Sequence, residues 1–194
     1  MIHSPLRRLV LVHPPKTGGT AMALALGEAE GDAVARDGRR DRGLGKHATL
    51  AEVEAALGSV PAGWLVLATA RNPWDRVVSL WAWARVQAFR HPTVERAKAM
   101  GFGDFVRDPA TQREMAASPA RRWLSGRAGV VLRIEHPEDL GPVEAHLGRR
   151  VVVPRANESA RERDWRGYYD RETRAIVARA CAEDVRLGGY SFEP

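Results

Sequence analysis

The chain has 194 residues, 44% hydrophobic and 28% charged, an ordinary globular composition with room for one domain and one sizeable core. No apolar run approaches the roughly 18 residues a spanning helix needs, which excludes a membrane span. The single Cys181 excludes an internal disulfide, and no Cys/His cluster has zinc spacing. The net charge of +6 and pI of about 10.2 admit a nucleic-acid partner without requiring one. Only Lys16, Lys46 and Lys98 are lysines, and the arginines are interspersed with acids rather than gathered in a block. No RNA-binding aromatic motif or helix-turn-helix signal accompanies them. The first eight residues carry no apolar stretch suited to a signal peptide, so cytoplasmic residence is the expectation.

In chain order, 8–13 is a short, almost continuous apolar run rich in β-branched residues, the pattern of a buried parallel strand. Gly18-Gly19 follow, and Thr20 opens an Ala/Leu-rich helix over 21–28. The polar, Gly- and Arg-rich 30–45 reads as a mobile loop. Thr49 with Glu52 three residues on forms a capping box for a helix over 50–57, and 64–70 is a second buried strand. Asn72, Pro73 and Asp75 each signal a helix start, and the helix is predicted to reach residue 89. Residues 93–124 are helical in pieces, with 86–128 as a lid or acceptor-side region. A third strand is predicted over 129–134, a short helix over 137–147, a fourth strand or edge over 151–153, and a closing helix over 170–187 with Cys181 buried inside it. The alternation implies an α/β fold, a mostly parallel P-loop-like sheet with helices on both faces, in a single domain.

Two segments carry chemistry. In His13-Pro14-Pro15-Lys16-Thr17-Gly18-Gly19-Thr20, a strand, a glycine loop and a helix start present backbone N–H groups to an anion. The glycines let the backbone approach closely, Lys16 supplies a point charge, and the Thr17 and Thr20 hydroxyls are further donors. The plain alternative is a tight turn with an incidental lysine. A Walker A loop is excluded, because Lys16 precedes both glycines and no Ser or Thr follows a Gly-Lys pair. In Arg71-Asn72-Pro73-Trp74-Asp75-Arg76-Val77-Val78-Ser79, Arg71 stands just past the carboxyl end of a strand, where α/β sheets bind ligands. Ser79 lies two turns on. The alternative is an Arg71–Asp75 pair with Ser79 solvated.

Together the two segments resemble the paired donor-binding motifs of sulfotransferases that use 3′-phosphoadenosine 5′-phosphosulfate (PAPS), closest to small bacterial sulfotransferases related to the carbohydrate-modifying branch. The resemblance implies that Pro15, Lys16, Thr17, Gly18, Gly19 and Thr20 bind the 5′-phosphosulfate and that Arg71 and Ser79 bind the 3′-phosphate. It continues in Lys46-His47-Ala48-Thr49, in Pro154 to Ser159 with Asn157 and Ser159 near the donor, and in the Tyr168-Tyr169 to Phe192 segment. It is thinnest over 30–45 and 86–128, where acceptor choice would sit.

The resemblance also implies a metal-free reaction in which Lys16 stabilises the leaving phosphate and a general base takes the proton of an acceptor hydroxyl on a carbohydrate or small metabolite. His47 is the candidate base, since histidine ordinarily titrates near pH 6.5. A structural histidine before a helix is its alternative, and His13, beside the loop, is its rival. Arg161 and Arg163 are either further contacts to the 3′-phosphate or solvated charges. The tryptophans are expected in the core. The competing functions are a P-loop-type nucleotide or small-molecule kinase and a nucleic-acid-binding or non-catalytic nucleotide-binding protein.

Overall fold

The computed structural model describes residues 1–28, 44–156 and 159–193, which group into two compact units. The expected loop 30–45 therefore lies outside the described residues apart from Leu44 and Gly45, and so does Asn157.

The first unit comprises Met1–Ala70 and Ala120–Asn157. Its sheet has the order β1-β2-β3-β4, with β1 at Ile2–Ser4, β2 at Leu9–Val12, β3 at Leu65–Ala70 and β4 at Val130–Arg133. β2, β3 and β4 are mutually parallel, in registers such as Leu9↔Leu65 and Leu67↔Val130. Alternate residues of β2 enter opposite cores. Val10 and Val12 pack with Leu50 and Val53 of helix α2 (Leu50–Leu57) and with Trp123 of α7 (Ala120–Trp123). Leu9 and Leu11 pack with Met22 and Leu26 of α1 (Gly19–Glu28) and Val143 of α8 (Gly141–Leu147). Helices thus cover both faces, which is why the strand shows no polar alternation in sequence.

β1 is antiparallel to β2 (Ile2↔Leu11) and was not legible. It is three residues long, two of them polar, and a turn joins it to β2 with Arg8 N–H donating to Pro5 O at 3.2 Å. That turn also takes Arg8 out of the predicted strand, since its φ of +53° is not extended. Residues 151–153 form no strand: Val151 is buried and its N–H donates to Glu144 Oε1 at 2.9 Å, but Val152 is 83% exposed with no neighbouring face to cover it. The helix predicted over 137–147 is a 3-10 turn (Pro137–Leu140) followed by α8. The closing helix is broken at Cys181 (φ −106°, ψ 25°) into α9 (Arg171–Ala180) and α10 (Ala182–Gly188).

The second unit, Arg71–Pro119 and Glu158–Pro194, is helical. α3 (Pro73–Arg85) uses all three predicted start signals: Asn72 Oδ1 accepts from Trp74 N–H at 3.1 Å, Pro73 is in the first turn, and Asp75 sits at the positive end. It ends at Arg85, four residues early, with Gln87 Nε2 donating to the Trp83 carbonyl at 2.8 Å. α4 (Pro92–Ala99), α5 (Phe102–Arg107) and α6 (Pro109–Ala116) are short: His91 and Asp108, each before a proline, are held out of helical geometry, and Met100 is extended between α4 and α5. They are core-forming: Val94, Ala97, Phe105 and Val106 are at most 2% exposed. Trp74 and Trp81 lie in the same core, their indole N–H groups donating to Arg174 O and Met100 O, as a buried indole requires. Burial pushes the Cys181 thiol up to about 11, so it stays protonated. Among the described residues no helix is long and apolar enough to cross a membrane, and no group of three or more His, Cys, Asp or Glu is arranged to hold a metal ion.

The capping box at the start of α2 is present in both directions, with Thr49 N–H donating to Glu52 Oε2 at 2.7 Å and Glu52 N–H to Thr49 Oγ1. Thr49→Ala is expected to cost about 1 kcal/mol, read as a lower urea midpoint at unchanged slope.

Candidate functional site

The loop between β2 and α1 is built inward before it offers anything outward. Lys16 (φ +67°) and Gly18 (φ +70°) both take left-handed backbone, which reverses the chain tightly between strand and helix. For Lys16, a residue with a Cβ, that conformation costs about 1–2 kcal/mol. Thr17 is 1% exposed, and its hydroxyl donates to Pro14 O at 2.8 Å while lying 2.7 Å from Thr69 Oγ1 on β3. The Thr17 side chain therefore pins the loop to the sheet, and its outward contribution is confined to its backbone. Thr20, in the first turn of α1, is only partly buried.

Both glycines sit where a side chain has no room. A Cβ on Gly18 would lie 2.9 Å from Ile134 Cγ2, and one on Gly19 would lie 2.0 Å from the His13 ring. Helix α1 begins at Gly19, with Gly18 O accepting from Met22 N–H at 3.0 Å. The amides of Gly19, Thr20 and Ala21 thus have no intrahelical acceptor, and no acidic residue in that first turn competes for the positive end of the helix. This is the geometry of an anion cradle.

His47 is tied to the same loop through His13. The two rings meet edge-on with centroids 4.7 Å apart, and His47 Nδ1 lies 3.1 Å from the His13 carbonyl oxygen. A carbonyl only accepts, so His47 Nδ1 carries the hydrogen and the imidazole lone pair lies on Nε2. Trp123 Nε1 donates to the His47 carbonyl at 2.9 Å, fixing the backbone as well. Lys46, His47 and Ala48 border an open groove of about 680 Å³, with Leu44, Glu52 and Ala56 on its other walls. His13 is 2% exposed, and burial, reinforced by the positive charges and the imidazole near it, holds its pKa down to about 3. It is a neutral packing residue against Gly19, which distinguishes it from the more accessible His47.

The second segment forms a cluster within the helical unit. Asp75 and Ser79, four residues apart, share one face of α3, and Arg71 stands just before the Asn72 cap. Arg71 donates to Asp75 Oδ2 through Nε at 2.8 Å and Nη2 at 2.7 Å. The arginine–aspartate pair weighed from sequence is therefore present, whereas Ser79 is not solvated: it is 2% exposed. Its Oγ lies 3.4 Å from Ser159 Oγ, and Ser159 Oγ donates to the Ser79 carbonyl at 3.3 Å. The structure separates the two later arginines: Arg161 Nη2 donates to Asp75 Oδ1, while Arg163 is exposed. Sequence reading missed Asp75 as the centre of this cluster. Its spacing of four from both Arg71 and Ser79 was the available signal.

Gly19→Ala is expected to cost about 1–3 kcal/mol by overpacking, and His13→Ala in the same chain to recover part of that loss, measured by denaturant unfolding. The His13 pKa also sets an acid sensitivity. Unfolded, the imidazole takes a proton near pH 6.5; folded, it resists protonation until about pH 3. The stability this provides is complete above pH 6.5 and drains away as pH falls toward 3. The melting temperature of the wild type should drop across that window, and His13→Gln should flatten the drop.

No protein-family model matches the sequence, and no curated protein matches it. Among solved structures, the crystal structure of a mouse sulfotransferase complexed with PAP is similar, with a TM-score of 0.51 over 98% of this chain and 91% of that one, at 16% identity. The chain has a sulfotransferase fold.

Proposed function

We propose that the protein is a sulfotransferase that moves a sulfuryl group from PAPS to an acceptor hydroxyl. The observation that carries this reading is the loop 14–20: a strand-to-helix turn closed by two glycines that tolerate no side chain, with its lysine ahead of them. A magnesium-dependent P-loop kinase places its lysine after the last glycine and follows it with Ser or Thr. The fold shared with a sulfotransferase that binds PAP, and the Arg71–Asp75–Ser79 cluster, support the same reading.

In this proposal the amides of Gly19, Thr20 and Ala21 receive the 5′ end of the donor, and Lys16 places its charge where the leaving phosphate develops negative charge. The Pro15 and Thr17 backbones shape that loop. Arg71 and Ser79 bind the 3′-phosphate with Ser159 beside them; Asn157 belongs to the same expectation. The donor supplies the sulfuryl group, breaking its bond to the 5′-phosphate as the acceptor oxygen bonds to sulfur. His47 Nε2 takes the acceptor proton, in the tautomer fixed by the His13 carbonyl. The groove bordered by His47 is the place to present a carbohydrate or small-metabolite hydroxyl. No metal is assigned a role, and cytoplasmic residence belongs to this proposal.

Calorimetry with adenosine 3′,5′-bisphosphate and with ATP–Mg tests the reading. Binding of the bisphosphate without metal is expected, and a preference for ATP–Mg sinks it. In turnover, Lys16→Ala should lower kcat about 100-fold, the scale of losing one stabiliser of developing charge. His47→Ala should lower it by about 100-fold or more. Unchanged turnover in His47→Ala moves the base elsewhere while leaving the class intact.

A further inference from the structure

Asp75 is a buried carboxylate whose two oxygens are taken by arginines from distant parts of the chain: Oδ2 by Nε and Nη2 of Arg71, Oδ1 by Nη2 of Arg161. One turn further along the same face, Ser79 meets Ser159. The contacts 75–161 and 79–159 form an antiparallel ladder between helix α3 and the segment that carries Ser159 and Arg161. Two guanidiniums and two hydroxyls are thereby gathered beside Asp75 and Ser79 of α3. Their side chains are only 18% exposed at Arg71 and 11% at Arg161, so these are not solvated surface charges.

We propose that Asp75 is a positioning residue that holds Arg71 and Arg161 as a pair for one phosphate group, with Arg161 as the second cation of that site. The proposal rests on the reading of Arg71 and Ser79 as the 3′-phosphate site. The physical case is one of preorganisation. An arginine side chain loses considerable rotamer freedom when it is fixed on a ligand, and a residue that fixes it beforehand removes that cost from binding. A guanidinium carries five N–H donors in a fixed fork, more than one carboxylate takes up. Sharing one carboxylate also lessens the repulsion that two neighbouring guanidiniums would otherwise feel.

The test compares affinities for adenosine 3′,5′-bisphosphate and adenosine 5′-monophosphate, which differ only in the 3′-phosphate. In the wild type the bisphosphate should bind far more tightly. Asp75→Asn should weaken bisphosphate binding at least tenfold and change monophosphate binding less than twofold. Arg161→Gln should do the same, and the double variant should lose less than the product of the two single effects. Bisphosphate binding by Asp75→Asn that equals or exceeds the wild type overturns the proposal, because the carboxylate would then compete with phosphate rather than prepare for it. Equal losses for both nucleotides overturn it too, since that marks a general structural defect. Should Asp75→Asn fail to fold, Arg161→Gln decides: an undiminished preference for the bisphosphate overturns the proposal. A wild type with no preference overturns the donor reading and this one with it, an outcome distinct from the others.

Discussion

The loop 14–20 depends on one close approach, the His13 ring lying against the bare α-carbon of Gly19, where a Cβ would stand 2.0 Å away. The contact does three things. It seats the end of β2 against the start of α1, so the first-turn amides stand at the end of the strand. It buries His13 and keeps it neutral. It places the His13 carbonyl and ring where His47 meets both. Loop, helix start and candidate base are thus coupled through a single imidazole, and the coupling exists because one residue has no side chain.

Two kinds of polar group line this loop, and the fold treats them differently. The Thr17 hydroxyl is satisfied internally by Pro14 and Thr69, so its role is to hold the loop on β3. The α1 amides have no such partner inside the helix, and they are what the loop presents. The left-handed backbone of Lys16 belongs with this division: local strain is held at the residue whose charge the proposed chemistry needs, while packing around Thr17, Gly18 and Gly19 absorbs its cost.

In the helical unit, ion pairing and anion binding looked like rival explanations of Arg71. The arrangement makes them compatible. A carboxylate that accepts from two arginines orients both, and Ser79 lies one turn further along the same face of α3. Arg161 and Arg163, indistinguishable in sequence context, part company because one reaches the Asp75 carboxylate and the other faces solvent.

The sequence by itself determined the elements whose signals are local. β2 and β3 show as continuous apolar runs because both sheet faces are covered. The starts of α2 and α3 show because capping is a matter of a few adjacent residues. The order of lysine and glycines in the loop already separated it from a magnesium-dependent P-loop. Tertiary structure alone decided what depends on partners far along the chain. β1 forms only because β2 offers it an edge, and 151–153 fails to form a strand because only Val151 finds a face to bury. His13 and His47 differ in burial, and Arg161 differs from Arg163 in reaching a carboxylate 86 positions away from Arg161. Residue type fixes what a side chain is able to do, but burial and partners, set by contacts between remote segments, decide which of its capacities remains available.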